Sequence, residues 1–182
     1  MTSRTAKLER KTRETEVSVK LDIDGKGRFS VKSDIRFLNH MVETFARYAS
    51  FDVELSASGD DEHHVVEDVA ITLGAAFREA LGGIPVERTA SATMPMDDAL
   101  VTVSVDIIDR PFADIDCPDP LYQHFLRSFA MSAGLTLHVL KTRGFDEHHI
   151  VEASFKGLGK ALRGAVVPRE AELSTKDKAK VG

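Results

Sequence analysis

Six of the chain's seven histidines fall into a pattern that occurs twice. His63-His64-Val65-Val66-Glu67 and His148-His149-Ile150-Val151-Glu152 both read His-His-x-x-Glu. A lone histidine precedes each doublet, His40 by 23 positions and His124 by 24; only His138 is left over. A single histidine is usually a surface group or a hydrogen-bonded core residue, whereas a repeated set of donors is a metal-site pattern. On a helix, residues four apart share a face and neighbours diverge by about 100°. His63 and Glu67 can therefore grip one ion while His64 reaches another, and His148, Glu152 and His149 have the same relationship. Divided evenly, the donors give three His and one Glu for each of two metals. The repeat assigns His63, Glu67, His149 and His124 to one site, and His148, Glu152, His64 and His40 to the other. Imidazole and carboxylate without thiolate suit manganese, iron or zinc. Four protein ligands would close a tetrahedral zinc site but leave two open positions on an octahedral ion, and the donor types alone do not choose.

The elements that carry these donors repeat as well. Residues 15–23 alternate, with Val17, Val19, Leu21 and Ile23 on one face, as a half-buried strand does. Asp24-Gly25-Lys26-Gly27 is turn chemistry leading to a strand through Phe29 and Val31. A helix follows over 40–48, a strand through Phe51, Val53, Leu55 and Ala57, and a helix over 64–81 ended by Gly82-Gly83. The second half repeats the plan: strands over 89–94 and 101–107, a helix over 124–131, a strand over 135–139 and a helix over 148–163. A short extra strand is expected around 112–115. The reading is an α+β fold from a duplicated β-β-α-β-α unit, with halves at 1–87 and 88–168 and a tail at 169–182. Helices in such units must cover a sheet face.

Composition narrows the setting. The formal charge of -5 argues against a general nucleic-acid surface. Cys117 is the single cysteine, so no internal disulfide is possible. Residues 1–13 are polar and unlike a signal peptide. No run approaches the roughly 18 apolar residues that span a membrane, so a cytoplasmic protein is the expectation. The lysine-rich run over 176–180 reads as a solvated tail.

Several runs resemble the imidazoleglycerol-phosphate dehydratase family. They are Glu9-Arg10-Lys11-Thr12-Arg13-Glu14-Thr15, Phe37-Leu38-Asn39-His40-Met41, His63-His64-Val65-Val66-Glu67-Asp68-Val69-Ala70, Gln123-His124-Phe125, and His148-His149-Ile150-Val151-Glu152-Ala153-Ser154-Phe155-Lys156. The similarity runs in order over roughly residues 8 to 165.

The resemblance implies a hydro-lyase of histidine biosynthesis that converts D-erythro-imidazoleglycerol phosphate to imidazoleacetol phosphate, with two manganese ions per active site. It implies two mixed sheets enclosing a helical layer (ribosomal protein S5 domain 2-like). It also implies a homo-oligomeric shell of 24 subunits with metal sites at subunit contacts. Glu14 matches the family's acid/base glutamate, which with the ligating Glu67 and Glu152 makes up the catalytic set. Arg88, Arg110 and Lys156 match its phosphate cations, and Ser174 and Lys176 its phosphate-binding tail. Asn39 and Glu62 stand where the family usually has Asp, Thr44 where many members have Gln, and Asp177 where Gly is usual. Two rival readings use the same donors: a two-metal phosphate-ester hydrolase, and a non-catalytic shell that metal assembles.

Overall fold

The computed structural model describes residues 4–173; Ser174 and Lys176 lie outside the described residues. The elements run β1 (Thr5–Lys11), β2 (Thr15–Asp22), β3 (Phe29–Lys32), α1 (Arg36–Ala49), β4 (Asp52–Gly59) and α2 (Glu62–Leu81). They then repeat as β5 (Thr89–Met96), β6 (Ala99–Ile107), β7 (Phe112–Ile115), α3 (Pro120–Ala133), β8 (Leu135–Arg143) and α4 (Glu147–Ala165).

Each set of four strands forms its own mixed sheet, in the equivalent orders β1-β2-β4-β3 and β5-β6-β8-β7. β3 runs parallel to β4 and β7 parallel to β8; the other pairs are antiparallel. The alternation read from the sequence is the burial pattern: Val17, Val19 and Leu21 of β2 and Val101, Val103 and Val105 of β6 point into the core. The unit has one strand more than expected in each half. β7 lies where a short strand was anticipated, whereas β1 had no signal. β1 pairs only with β2, at the sheet edge, and buries Ala6 alone. An edge strand with one buried side chain has no apolar period to read.

The helices form a layer between the sheets. α2 packs on β1 and β2, α4 on β5 and β6, and across the layer α2 meets α3 while α1 meets α4. Phe45, Phe77 and Phe129 join the halves in the core, with Phe45 and Phe77 at 5.7 and 6.2 Å from the Phe129 ring. Two glycines at the same place in the repeat permit the helix crossings. A Cβ on Gly74 would stand 2.6 Å from the Phe129 carbonyl oxygen of α3, and one on Gly159 would stand 2.7 Å from that of Phe45 on α1. Each helix carrying a His-His-x-x-Glu run is thus drawn against the helix that carries the other half's lone histidine.

The helix starts place the ligands. Asp61 and Asp146 cap α2 and α4, each side chain accepting the backbone N–H of the first histidine of the doublet. Asp119 caps α3, with Pro120 as its first residue. α1 begins four residues earlier than expected, after Ile35, which offers no side-chain cap. Among the described residues no helix is long and apolar enough to cross a membrane.

Candidate metal centre

Two His-His-Glu donor trios form between the paired helices, towards their N-terminal ends. His63 and Glu67 of α2 meet His124 of α3, and His148 and Glu152 of α4 meet His40 of α1; within each trio the donor atoms lie within 4.8 Å of one another. In the first, His124 Nε2 is 3.1 Å from Glu67 Oε1, and the His63 and His124 rings stack at 5.1 Å. In the second, Glu152 Oε2 faces His40 Nε2 at 3.4 Å and His148 Nε2 at 3.5 Å. Phe37 packs against the His148 ring at 4.9 Å. Converging imidazole nitrogens around one carboxylate are a donor set that fits a divalent metal.

The trios differ in charge. Glu152 is buried and its Oε1 is 2.8 Å from Lys156 Nζ. Burial raises the Glu152 carboxyl, but Lys156 and His40 outweigh it, and the group ends below the ordinary carboxylate range. The equivalent place on α2 is Ile71, so Glu67 has no such ammonium one turn on.

The second histidine of each doublet goes elsewhere. His64 Nδ1 lies 3.1 Å from Asp60 Oδ1 and 3.8 Å from Glu14 Oε2. His149 Nδ1 lies 2.6 Å from Asp98 Oδ1, and its Nε2 is 3.4 Å from Asp97 Oδ2. Hydrogen bonds to Asp60 and Asp98 respectively raise both imidazoles above their ordinary value. One chain therefore gathers three of the four donors assigned to each site, and neither His149 nor His64 joins the trio to which the repeat assigns it.

Glu14 sits in the turn between β1 and β2 rather than on a strand, 57% exposed at its side chain. Thr15, next to it, hydrogen-bonds buried Asp68 of α2, which also takes Arg10 Nε at 2.8 Å. This ties the turn to the helix that holds His63 and His64. Lys156 is nearly buried, between Glu152, Met96 Sδ at 3.0 Å and the Tyr48 ring at 5.7 Å. Arg88 precedes β5 and makes an ion contact at 2.7 Å with Asp106, without hydrogen-bond alignment. Its Nη1 donates to the Leu173 carbonyl. Arg110 lies in the β6–β7 loop, where its carbonyl accepts from Thr136. Lys156 Nζ reaches Met96, the last residue of β5, whereas Arg88 directly precedes the first residue of that strand. One chain does not converge them. Asp60, Asp98 and Phe37 were not among the expected site residues. Asp98 reaches His149 across 51 positions, a contact with no sequence signal.

Two sheets around paired helices, with a His-His-Glu trio on each pair, define a duplicated α+β scaffold with a candidate metal centre on each helix pair. The family model described as imidazoleglycerol-phosphate dehydratase matches residues 33–162, and the chain belongs to that family. The imidazoleglycerol-phosphate dehydratase of Dehalococcoides mccartyi is 44% identical over 173 residues, covering 89% of this chain and 88% of that protein. That of Thermoanaerobacter pseudethanolicus is 45% identical over 177 residues, covering 90% and 91%. The crystal structure of the Pyrococcus furiosus protein is similar with a TM-score of 0.82 at 39% identity, covering 92% of this chain and 98% of that one.

Proposed function

We propose that this chain dehydrates D-erythro-imidazoleglycerol phosphate to imidazoleacetol phosphate in histidine biosynthesis, using two manganese ions per active site in a cytoplasmic homo-oligomeric shell of 24 subunits. The observation that carries the reading is the pair of His-His-Glu trios, each short of one histidine. His149 of a neighbouring copy would complete His63, Glu67 and His124; His64 of a neighbouring copy would complete His40, His148 and Glu152. Four protein donors would close a tetrahedral zinc site but would leave a six-coordinate ion such as manganese able to take substrate. When bound, the ions supply Lewis acidity and a template for the imidazole ring.

The chain's own residues do the rest. The proton to be lost lies on the carbon next to the one bearing the departing hydroxyl and is not acidic in the intact substrate, so it needs a positioned acceptor. Glu14 is exposed, held in a turn that Thr15 and Asp68 tie to α2, and close to His64. It takes that role. Glu67 and Glu152 would hold metal. Lys156, Arg88 and Arg110, with Ser174 and Lys176 of the tail, supply the charge and donors a phosphate needs. Lys156 Nζ and Arg88 lie towards opposite ends of β5 in one chain, an arrangement that suits a phosphate held by residues of different copies. That supports a site shared between subunits.

The test is turnover of the imidazole substrate by chelator-stripped protein, then with manganese, zinc or iron added back. Activity lost on stripping and restored best by manganese is expected. Full activity in stripped protein would overturn the reading.

A further inference from the structure

Asp98 occupies in the second half the station that Glu14 occupies in the first. Glu14 directly precedes Thr15, the first residue of β2, and Asp98 directly precedes Ala99, the first residue of β6. Each faces the second histidine of its doublet, Glu14 at 3.8 Å from His64 Nδ1 and Asp98 at 2.6 Å from His149 Nδ1. The shorter side chain is immobilised. Asp98 Oδ2 accepts the backbone N–H of Phe145 at 2.5 Å and of Asp146 at 3.2 Å, which hooks the β5–β6 turn to the start of α4.

We propose that Asp98 is a positioning residue that holds the His149 ring with its hydrogen on Nδ1, leaving Nε2 bare as the atom offered to a metal. An ionised carboxylate only accepts hydrogen bonds, and a neutral imidazole carries one ring hydrogen. A short contact at Nδ1 therefore fixes the tautomer as well as the ring plane. Asp97, which lies 3.4 Å from Nε2, is largely exposed and is free to turn aside. Asp60 does the same for His64 at 3.1 Å, which leaves Glu14 unhooked and free to carry a proton. The repeat has thus divided one carboxylate station between two tasks. The assignment of Asp98 rests on the metal reading above.

Two measurements test it. The first uses the intact, metal-free protein with nitrogen-15-labelled histidine at alkaline pH, where the imidazoles are neutral. The His149 signals are identified by their loss in His149→Ala. The hydrogen is expected on Nδ1; a hydrogen on Nε2 overturns the proposal without any variant of Asp98. The second is a manganese titration of Asp98→Asn. Its amide oxygen can keep the bonds from Phe145 and Asp146, while its NH2 group faces Nδ1 and drives the ring hydrogen to Nε2. Affinity is expected to fall about 10–100-fold, as for loss of a ligand's outer partner. In a His149→Ala background the same substitution should change nothing. Unchanged affinity, or an equal loss in both backgrounds, overturns the proposal. A wild-type protein that binds no manganese would overturn the metal reading itself, and that result appears before any substitution is made.

Discussion

His40 Nε2 stands 3.4 Å from Glu152 Oε2 although 112 positions separate the two residues. The contact exists because α1, from the first half, crosses α4, from the second, at Gly159. A lone histidine and a His-His-x-x-Glu run from the same half do not meet; they meet across halves.

The crossing predicts the behaviour of Gly159→Ala. Alanine in a helix interior is usually worth roughly 0.5–1 kcal/mol over glycine. Here the new Cβ would lie 2.7 Å from the Phe45 carbonyl oxygen and 2.9 Å from the Ala49 nitrogen, both backbone atoms. The clash should reverse the sign and destabilise the protein by about 1–3 kcal/mol. Manganese binding should weaken most at the site of His40, His148 and Glu152. Thermal melts and a metal titration check this, and a variant more stable than wild type would contradict the crossing geometry.

Glu14→Gln and Glu152→Gln should fail differently. Glu14 lies outside both His-His-Glu trios, in a separate cluster with Asp60 and His64. As a proton carrier rather than a ligand, its Glu14→Gln variant should keep its metal while turnover falls by roughly 10²–10⁴-fold, typical of a lost general base or acid. Glu152→Gln removes the carboxylate that two histidines face, so it should bind metal weakly and recover partly with excess manganese. Elemental analysis and turnover across a manganese titration separate the two. Loss of metal by Glu14→Gln would remove it from the proton-transfer role.

Metal should drive assembly. His64 and His149 stand outside both trios, so metal bound across copies should raise the mass seen by light scattering when manganese is added. His64→Ala and His149→Ala should fold normally yet show a smaller increase, since each lacks a donor to a neighbour's trio. Identical masses with and without manganese in the wild type would rule out shared sites.

Acid should remove one turn anchor in a definite window. The Arg28 guanidinium beside Asp52, aided by the backbone N–H groups of Lys26 and Arg28 against the opposing effect of burial, lowers its carboxyl from 3.8 to about 2. A depressed carboxylate stabilises the fold above its ordinary value, and that stability disappears as pH falls through the folded value. Asp52→Asn should therefore be less stable than wild type by roughly 1 kcal/mol at neutral pH. The difference should vanish as pH falls from about 4 to about 2. Denaturant unfolding across that range measures it, and a difference that persists at the acid end would point to packing rather than charge.

The donors, their helical spacing, the family and most of the repeated elements were legible in the chain itself. Doublets at i and i+1 with a glutamate at i+4 state their geometry locally, and buried strands print their alternation. β1 was not legible, because an edge strand that buries only Ala6 has no period to show. The repeat already grouped His124 with His63 and Glu67, and His40 with His148 and Glu152; that His149 and His64 stand apart from those trios within one chain was decided by packing. Asp98 and Asp60 became visible only when the turns before β6 and α2 were placed beside His149 and His64. The stations of Lys156 and Arg88 at opposite ends of β5 were likewise decided by tertiary structure. Local periodicity encodes which side chains share a face; which faces meet is decided by packing two halves around one core.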